Sequence, residues 1–159
     1  MTKNPFQDLI QIRQSLWYDN IQRRLLQNGE WREMIYRGEI SGVTSNPTIF
    51  QKAIANSDDY DSALQTMAMS GWTDEEIFYH LAVEDIRAAA DLFLPLYEQT
   101  NRGDGYVSIE VSPYLAHETE ATIAEARRLW KWIDRPNLMI KIPATVEGLP
   151  AIKEVIASG

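Results

Sequence analysis

Cysteine is absent from the 159 residues, which excludes a disulfide framework and a thiol nucleophile. Long apolar runs are absent as well, and none approaches the roughly 18 uninterrupted residues that a membrane-spanning helix needs. No low-complexity tract, internal repeat or long polar linker interrupts the chain. The opening MTKNPFQDLI is polar and mixed in charge, unlike a signal peptide. Histidine occurs only as His80 and His117, without metal-ligand spacing to other residues, so no metal site is expected. Positive charge is scarce: 15 Lys and Arg stand against 23 Asp and Glu, for a net charge of -8. No basic face offsets that excess, so nucleic acid is not an expected partner. The densest basic group, RRLWK at 127–131, has the spacing of a solvated helix face. What remains, at 45% apolar and 24% charged, has the size of one ordinary domain and fits a cytoplasmic enzyme.

Periodicity divides the chain into alternating strands and helices. A short helix is expected over NPFQDLIQIRQ, then a strand-like run, SLWYDNI (15–21), that contains Asp19. An amphipathic stretch follows, broken at Asn28-Gly29. SGVTSNPTIF (41–50) gives a β-branched strand that runs into Asn46-Pro47, and residues 47–101 are mostly helical. Within them Thr73 and Glu76 have the spacing of a capping box. YVSIEV (106–111) and LMIKIP (138–143) alternate as strands do, with helices at 117–133 and after 144. Strand–helix alternation of this kind predicts an α/β fold with a parallel sheet. A doubly wound sheet is the competing arrangement, but no strand is followed by a glycine-rich phosphate loop. The four strands run into Asp19, Asn46, Glu110 and Lys141, and a (β/α)8 TIM barrel places its active-site groups at such strand ends.

Strand parity sharpens this. Tyr106, Ser108 and Glu110 share one face, and Val107, Ile109 and Val111 the other. Met139 and Lys141 share one face, opposite Leu138, Ile140 and Ile142. The apolar faces should pack under the helices, so a carboxylate and an ammonium should meet on the other side. Lys141 sits among neighbours that call for burial, and burying an unpaired ammonium is costly. It therefore reaches solvent, pairs with an acid, or does chemistry as a nucleophile toward a carbonyl carbon. Glu110 as a plain salt-bridge partner, Asp19 as a helix N-cap and Asn46-Pro47 as a plain strand-to-helix turn are the structural readings of the same residues.

GVTSNPTIF resembles the first signature of the transaldolases, and LMIKIPATVEGLPAI resembles the segment around their Schiff-base lysine. GDGYVSIEVSP, between them, resembles the family's third-strand segment, and NPFQDLIQIRQSLWYDNI the opening of the longer bacterial kind. The resemblance implies a class I aldolase mechanism in a barrel of which residues 1–159 form about the first four βα units, the N-terminal part of a single domain. Lys141 would form the imine with a ketose phosphate, and a dihydroxyacetone unit would pass to an aldose phosphate in the pentose phosphate pathway. Fructose 6-phosphate, sedoheptulose 7-phosphate and erythrose 4-phosphate would be the sugar partners. No cofactor is implied, because the amine supplies the electron sink. Asp19 matches the first-strand acid that moves a proton at the C4 hydroxyl. Glu110 matches the third-strand acid that works through a water on the imine. Asn46 matches the asparagine that binds a hydroxyl of the three-carbon unit, with Thr44 and Ser45 beside it as further substrate-binding residues. The family's phosphate-binding arginine lies on a later strand. A four-strand unit has open edges, which implies a homo-oligomer pairing through them. The competing functions are a catalytically silent half-barrel used for assembly and a related Schiff-base aldolase that releases free dihydroxyacetone.

Overall fold

The four strand-like runs all form strands, each shorter than its apolar stretch: β1 (Trp17–Asp19), β2 (Gly42–Thr44), β3 (Tyr106–Glu110) and β4 (Leu138–Lys141). The computed structural model describes residues 5–159. Asn4, the first residue of the expected N-terminal helix, lies outside them, and that helix, α1, runs Pro5–Gln11. All neighbouring strands pair in parallel, in the order β1-β2-β3-β4. A doubly wound sheet reverses its order at a switch point. This sheet does not, and it has the sequential order of a stretch of (β/α) barrel.

The connections follow local chemistry. After β1 the chain makes α2 (Arg23–Gln27) and α3 (Glu30–Tyr36), divided at Asn28-Gly29, where Gly29 takes φ +85°. After β2, Asn46 caps α4 (Pro47–Ala55): its Oδ1 accepts from the Ile49 N–H at 2.9 Å, and Pro47 occupies the first turn. A 3-10 turn (Asp58–Tyr60) and α5 (Asp61–Met69) lead to the 26-residue α6 (Asp74–Gln99). The expected capping box opens α6, with Thr73 Oγ1 accepting from the Glu76 N–H at 3.3 Å and Glu76 Oε2 accepting from the Thr73 N–H at 2.8 Å. A second 3-10 turn (Pro113–Leu115) and α7 (Thr119–Ile133) follow β3, and α8 (Gly148–Ala157) follows β4. No helix among the described residues is long and apolar enough to cross a membrane.

The core lies on one side of the sheet. Val43, Val107, Ile109 and Leu138 point outward and pack with Trp31, Phe50, Ile86, Phe93 and Leu129 from the surrounding helices. The parity read from the sequence holds on both β3 and β4. The opposite face carries Trp17, Asp19, Thr44, Ser108, Glu110, Met139 and Lys141, none of which belongs to that core. Met139 there is 40% exposed. Gly42 lies under Trp17: a Cβ would stand 2.6 Å from the indole ring and 2.9 Å from the Tyr106 carbonyl oxygen. Gly105, at φ +81°, lets the start of β3 approach α6, where a Cβ would meet the Tyr97 nitrogen at 2.4 Å.

Two buried polar groups hold the frame. Asn137 Nδ2 donates to the Ala90 and Gly105 carbonyls, both at 2.8 Å, which joins α6, the start of β3 and the start of β4. Asp85 on α6 accepts from the Tyr60 hydroxyl at 2.7 Å and from Arg23 Nε at 2.8 Å, while Arg23 also reaches Glu84 at 2.9 Å. The Arg23 guanidinium lies over the Tyr60 ring at 4.6 Å.

Candidate active site

Residues at alternate positions of parallel strands form rows across a sheet. Asp19 pairs with Thr44, and Ser108 with Met139; the register between β2 and β3 brings Thr44 beside Ser108. One step nearer the strand ends, Glu110 pairs with Lys141. The two rows bring the side chains of residues 19, 44, 108, 110 and 141 to one face.

Lys141 Nζ is the hub. It contacts Glu110 Oε1 at 2.8 Å and donates to the Ser45 carbonyl at 3.1 Å and to Thr44 Oγ1 at 3.3 Å. An ammonium has three N–H donors, and each finds an acceptor. The Lys141 and Glu110 side chains are 39% and 30% exposed. The burial suggested by Leu138 and Ile140 therefore does not extend to Lys141, because parity turns it to the open face. Of the three fates read for it from the sequence, pairing with an acid and reaching solvent both occur.

The remaining candidates divide. Asp19 is exposed at the end of β1, and the N-cap of the helix that follows is Gln22, so Asp19 is not that helix's cap. Asn46 does cap α4 through Oδ1, which leaves its amide nitrogen as a donor. Ser45 is fully buried, and its hydroxyl donates to the Ser108 carbonyl at 2.8 Å. It meets the site through its own carbonyl oxygen and not through its hydroxyl. Thr44 is half-buried and touches Lys141 directly.

Two further features had no role in the sequence reading. Ser108 was placed on the inner face by parity, and its Oγ donates to Thr44 Oγ1 at 3.1 Å. The loops after β3 and β4 are joined above the site: His117 Nδ1 and Glu147 Oε2 lie 3.0 Å apart, and Thr119 Oγ1 donates to the Glu147 carbonyl at 2.7 Å. The His117 contact holds the Glu147 carboxyl below its ordinary range. Thr145 Oγ1 adds a bond to the Ala116 carbonyl. No group of three or more metal-ligating side chains lies together among the described residues.

Comparison with known proteins gives this arrangement its relatives. The family model described as Transaldolase/Fructose-6-phosphate aldolase matches residues 16–159. The chain is 50% identical over 159 residues to Transaldolase 2 of Nostoc punctiforme, a match that covers 100% of this chain and 42% of that protein. It is 51% identical over 156 residues to a transaldolase of Thermobifida fusca, covering 98% and 42% respectively. A transaldolase of Thiobacillus denitrificans is 46% identical over 156 residues, with 98% and 44% covered. The chain thus spans less than half the length of these curated relatives.

Proposed function

The chain belongs to the transaldolase/fructose-6-phosphate aldolase family, and from that footing we propose that it forms the N-terminal part of a single barrel domain that transfers a dihydroxyacetone unit between sugar phosphates through an imine on Lys141. The observation that supports this most is the Glu110–Lys141 pair, 2.8 Å apart and open to solvent at the ends of neighbouring parallel strands.

The chemistry follows from the groups. The neutral Lys141 amine adds to the C2 carbonyl of fructose 6-phosphate or sedoheptulose 7-phosphate, giving a carbinolamine. Glu110, acting through a water, supplies the proton with which that hydroxyl leaves, and an iminium forms. Asp19 takes the proton from the C4 hydroxyl as the C3–C4 bond breaks, and the bonding electrons flow into the iminium. An aldose phosphate departs, and the three-carbon unit stays on Lys141, its hydroxyl held by the Asn46 amide. An acceptor aldose phosphate takes the unit by the reverse steps, and water frees the lysine. The amine does the electrophilic work, so this scheme needs no cofactor. The reaction belongs to the pentose phosphate pathway and to the cytoplasm. β1 and β4 are the outer strands among the described residues, and when these 159 residues stand alone a second copy pairs along them.

Borohydride reduction in the presence of fructose 6-phosphate tests the reading. The expected product is a three-carbon adduct on the Lys141 peptide, seen by intact mass and peptide mapping, and absent in Lys141→Arg. An unmodified mass from folded protein, or an adduct on another lysine, overturns it. Adding an aldose phosphate acceptor separates transfer from simple release.

A further inference from the structure

Lys141 must change its hydrogen bonding when it becomes a nucleophile, and its three partners are not equal to that change. As an ammonium it donates to Glu110, to the Ser45 carbonyl and to Thr44. As a neutral amine it keeps two N–H donors and gains one lone pair. A carboxylate and a carbonyl only accept, so neither can face that lone pair. A hydroxyl both accepts and donates. Thr44 is thus the one partner of the three that can serve both forms of the amine.

Ser108 decides which way Thr44 leans. Ser108 is 2% exposed, and its hydroxyl has Thr44 Oγ1 as its acceptor at 3.1 Å. A buried hydroxyl cannot leave its proton unpaired without cost, whereas half-buried Thr44 can turn its own proton to solvent or to a ligand. Ser108 therefore occupies one lone pair of Thr44 Oγ1 and leaves the other to the ammonium, for which a doubly used oxygen is the weaker acceptor. The same bond polarises the Thr44 O–H and makes it a better donor to a neutral amine.

We propose that Ser108 is a positioning residue that acts through Thr44: the two hydroxyls form a chain that favours the neutral, nucleophilic form of the Lys141 amine. The proposal rests on the reading of Lys141 as the imine-forming residue. The balance is simple. One proton leaves Nζ for water on the open face, and in the imine step Glu110 relays a proton back, through a water, to the departing hydroxyl. Nζ keeps its bonds to Glu110 and Ser45, and the Thr44 O–H rotates to face the lone pair. The reverse rotation frees the lone pair for attack. The other titratable groups on the strands around this corner are Glu110 on β3 and Asp19 at the end of β1, while the His117–Glu147 pair joins the segments that follow β3 and β4; residues 41–46, in and beside β2, contribute none.

The test uses formaldehyde with cyanoborohydride, which methylates neutral amines without sugar recognition. Labelling of the Lys141 peptide is followed by mass from about pH 6 to about pH 11, a range that brackets an ordinary lysine near 10.4. Ser108→Ala is expected to move the labelling curve to higher pH and slow labelling at neutral pH by roughly threefold, the scale of part of one hydrogen bond. Ser108→Thr, which keeps the hydroxyl, is expected to restore the curve. In the Thr44→Val background Ser108→Ala should have no further effect, because the chain is already broken. A Ser108→Ala curve that superimposes on that of the parent protein overturns the proposal, as does a shift that persists with Thr44→Val. Should Ser108→Ala fail to fold, Ser108→Cys, a weaker donor, reads the same displacement. The shift without any sugar adduct supports the chain and removes the imine reading. A sugar adduct on Lys141 without the shift does the opposite.

Discussion

Asp85 is a carboxylate that the helix pattern gives no reason to bury, yet it is 2% exposed on α6. Burial pushes its carboxyl above the ordinary 3.8, against the opposing pull of the Tyr60 hydroxyl and Arg23. The raised value means that the folded state holds this proton more tightly than the unfolded chain. The group's contribution thus favours folding at low pH and weakens as pH rises through its folded value. Arg23 limits that loss. Arg23→Met leaves the carboxylate buried with Tyr60 alone and should cost about 3–5 kcal/mol near neutral pH, with the deficit shrinking on acidification. Urea unfolding at several pH values measures it, and Arg23→Met combined with Asp85→Leu should recover much of the stability. Little of this was legible. Arg23, Tyr60 and Asp85 lie far apart in the chain, and their meeting depends on where a turn and two helices come to rest. Asn137 was similar: in the sequence it reads as part of a helix break, and only the packed fold gives its amide two carbonyls. Glu110 and Lys141 were legible because a strand alternates its faces by geometry alone.

At the scale of elements, short-range signals carried through. Thr73 and Glu76 three residues apart did form the capping box, and Asn46-Pro47 did open a helix. Strand lengths were overread, since apolar residues beyond the last ladder bond look the same in sequence as those inside it. The 3-10 turns at 58–60 and 113–115 were not anticipated, because a single tight turn has too few residues to show a period. The capping box makes a prediction of its own. The Thr73 N–H, and then its hydroxyl, hold the Glu76 carboxyl below its ordinary 4.5. Its support for α6 is therefore present above the unfolded value and is lost as pH falls through the folded one. Urea stability compared at about pH 7 and about pH 3 should fall less on acidification in Glu76→Gln than in the parent chain, since the amide cannot titrate. An equal fall in both would show that the box adds nothing to the acid response.

At the largest scale, the described residues form a sheet with one face packed and one face open. The family resemblance made the barrel arrangement legible, and the sequential strand order bears it out in four strands. What the sequence could not convey is how much apolar surface borders the outer strand β4. Trp130, Met139 and Ile156 are exposed around a groove between α7, β4 and α8. Exposed edges beside apolar surface favour association. Sedimentation velocity of these 159 residues alone should show a concentration-dependent dimer or larger species, and Met139→Glu should shift it toward monomer. A single sharp monomer boundary across the concentration range would sink the oligomer reading.

Because spatial order follows chain order among the four described strands, β2, β3 and β4 each find a partner already made when they leave the ribosome. β2 needs only β1, β3 only β2, and β4 only β3. The nascent chain can therefore lay down these four strands one ribbon at a time, in the order in which it makes them. Of the groups on the two rows the ammonium arrives last, after Asp19, Thr44, Ser108 and Glu110. Translation can thus build the acceptors before the donor that they are to hold.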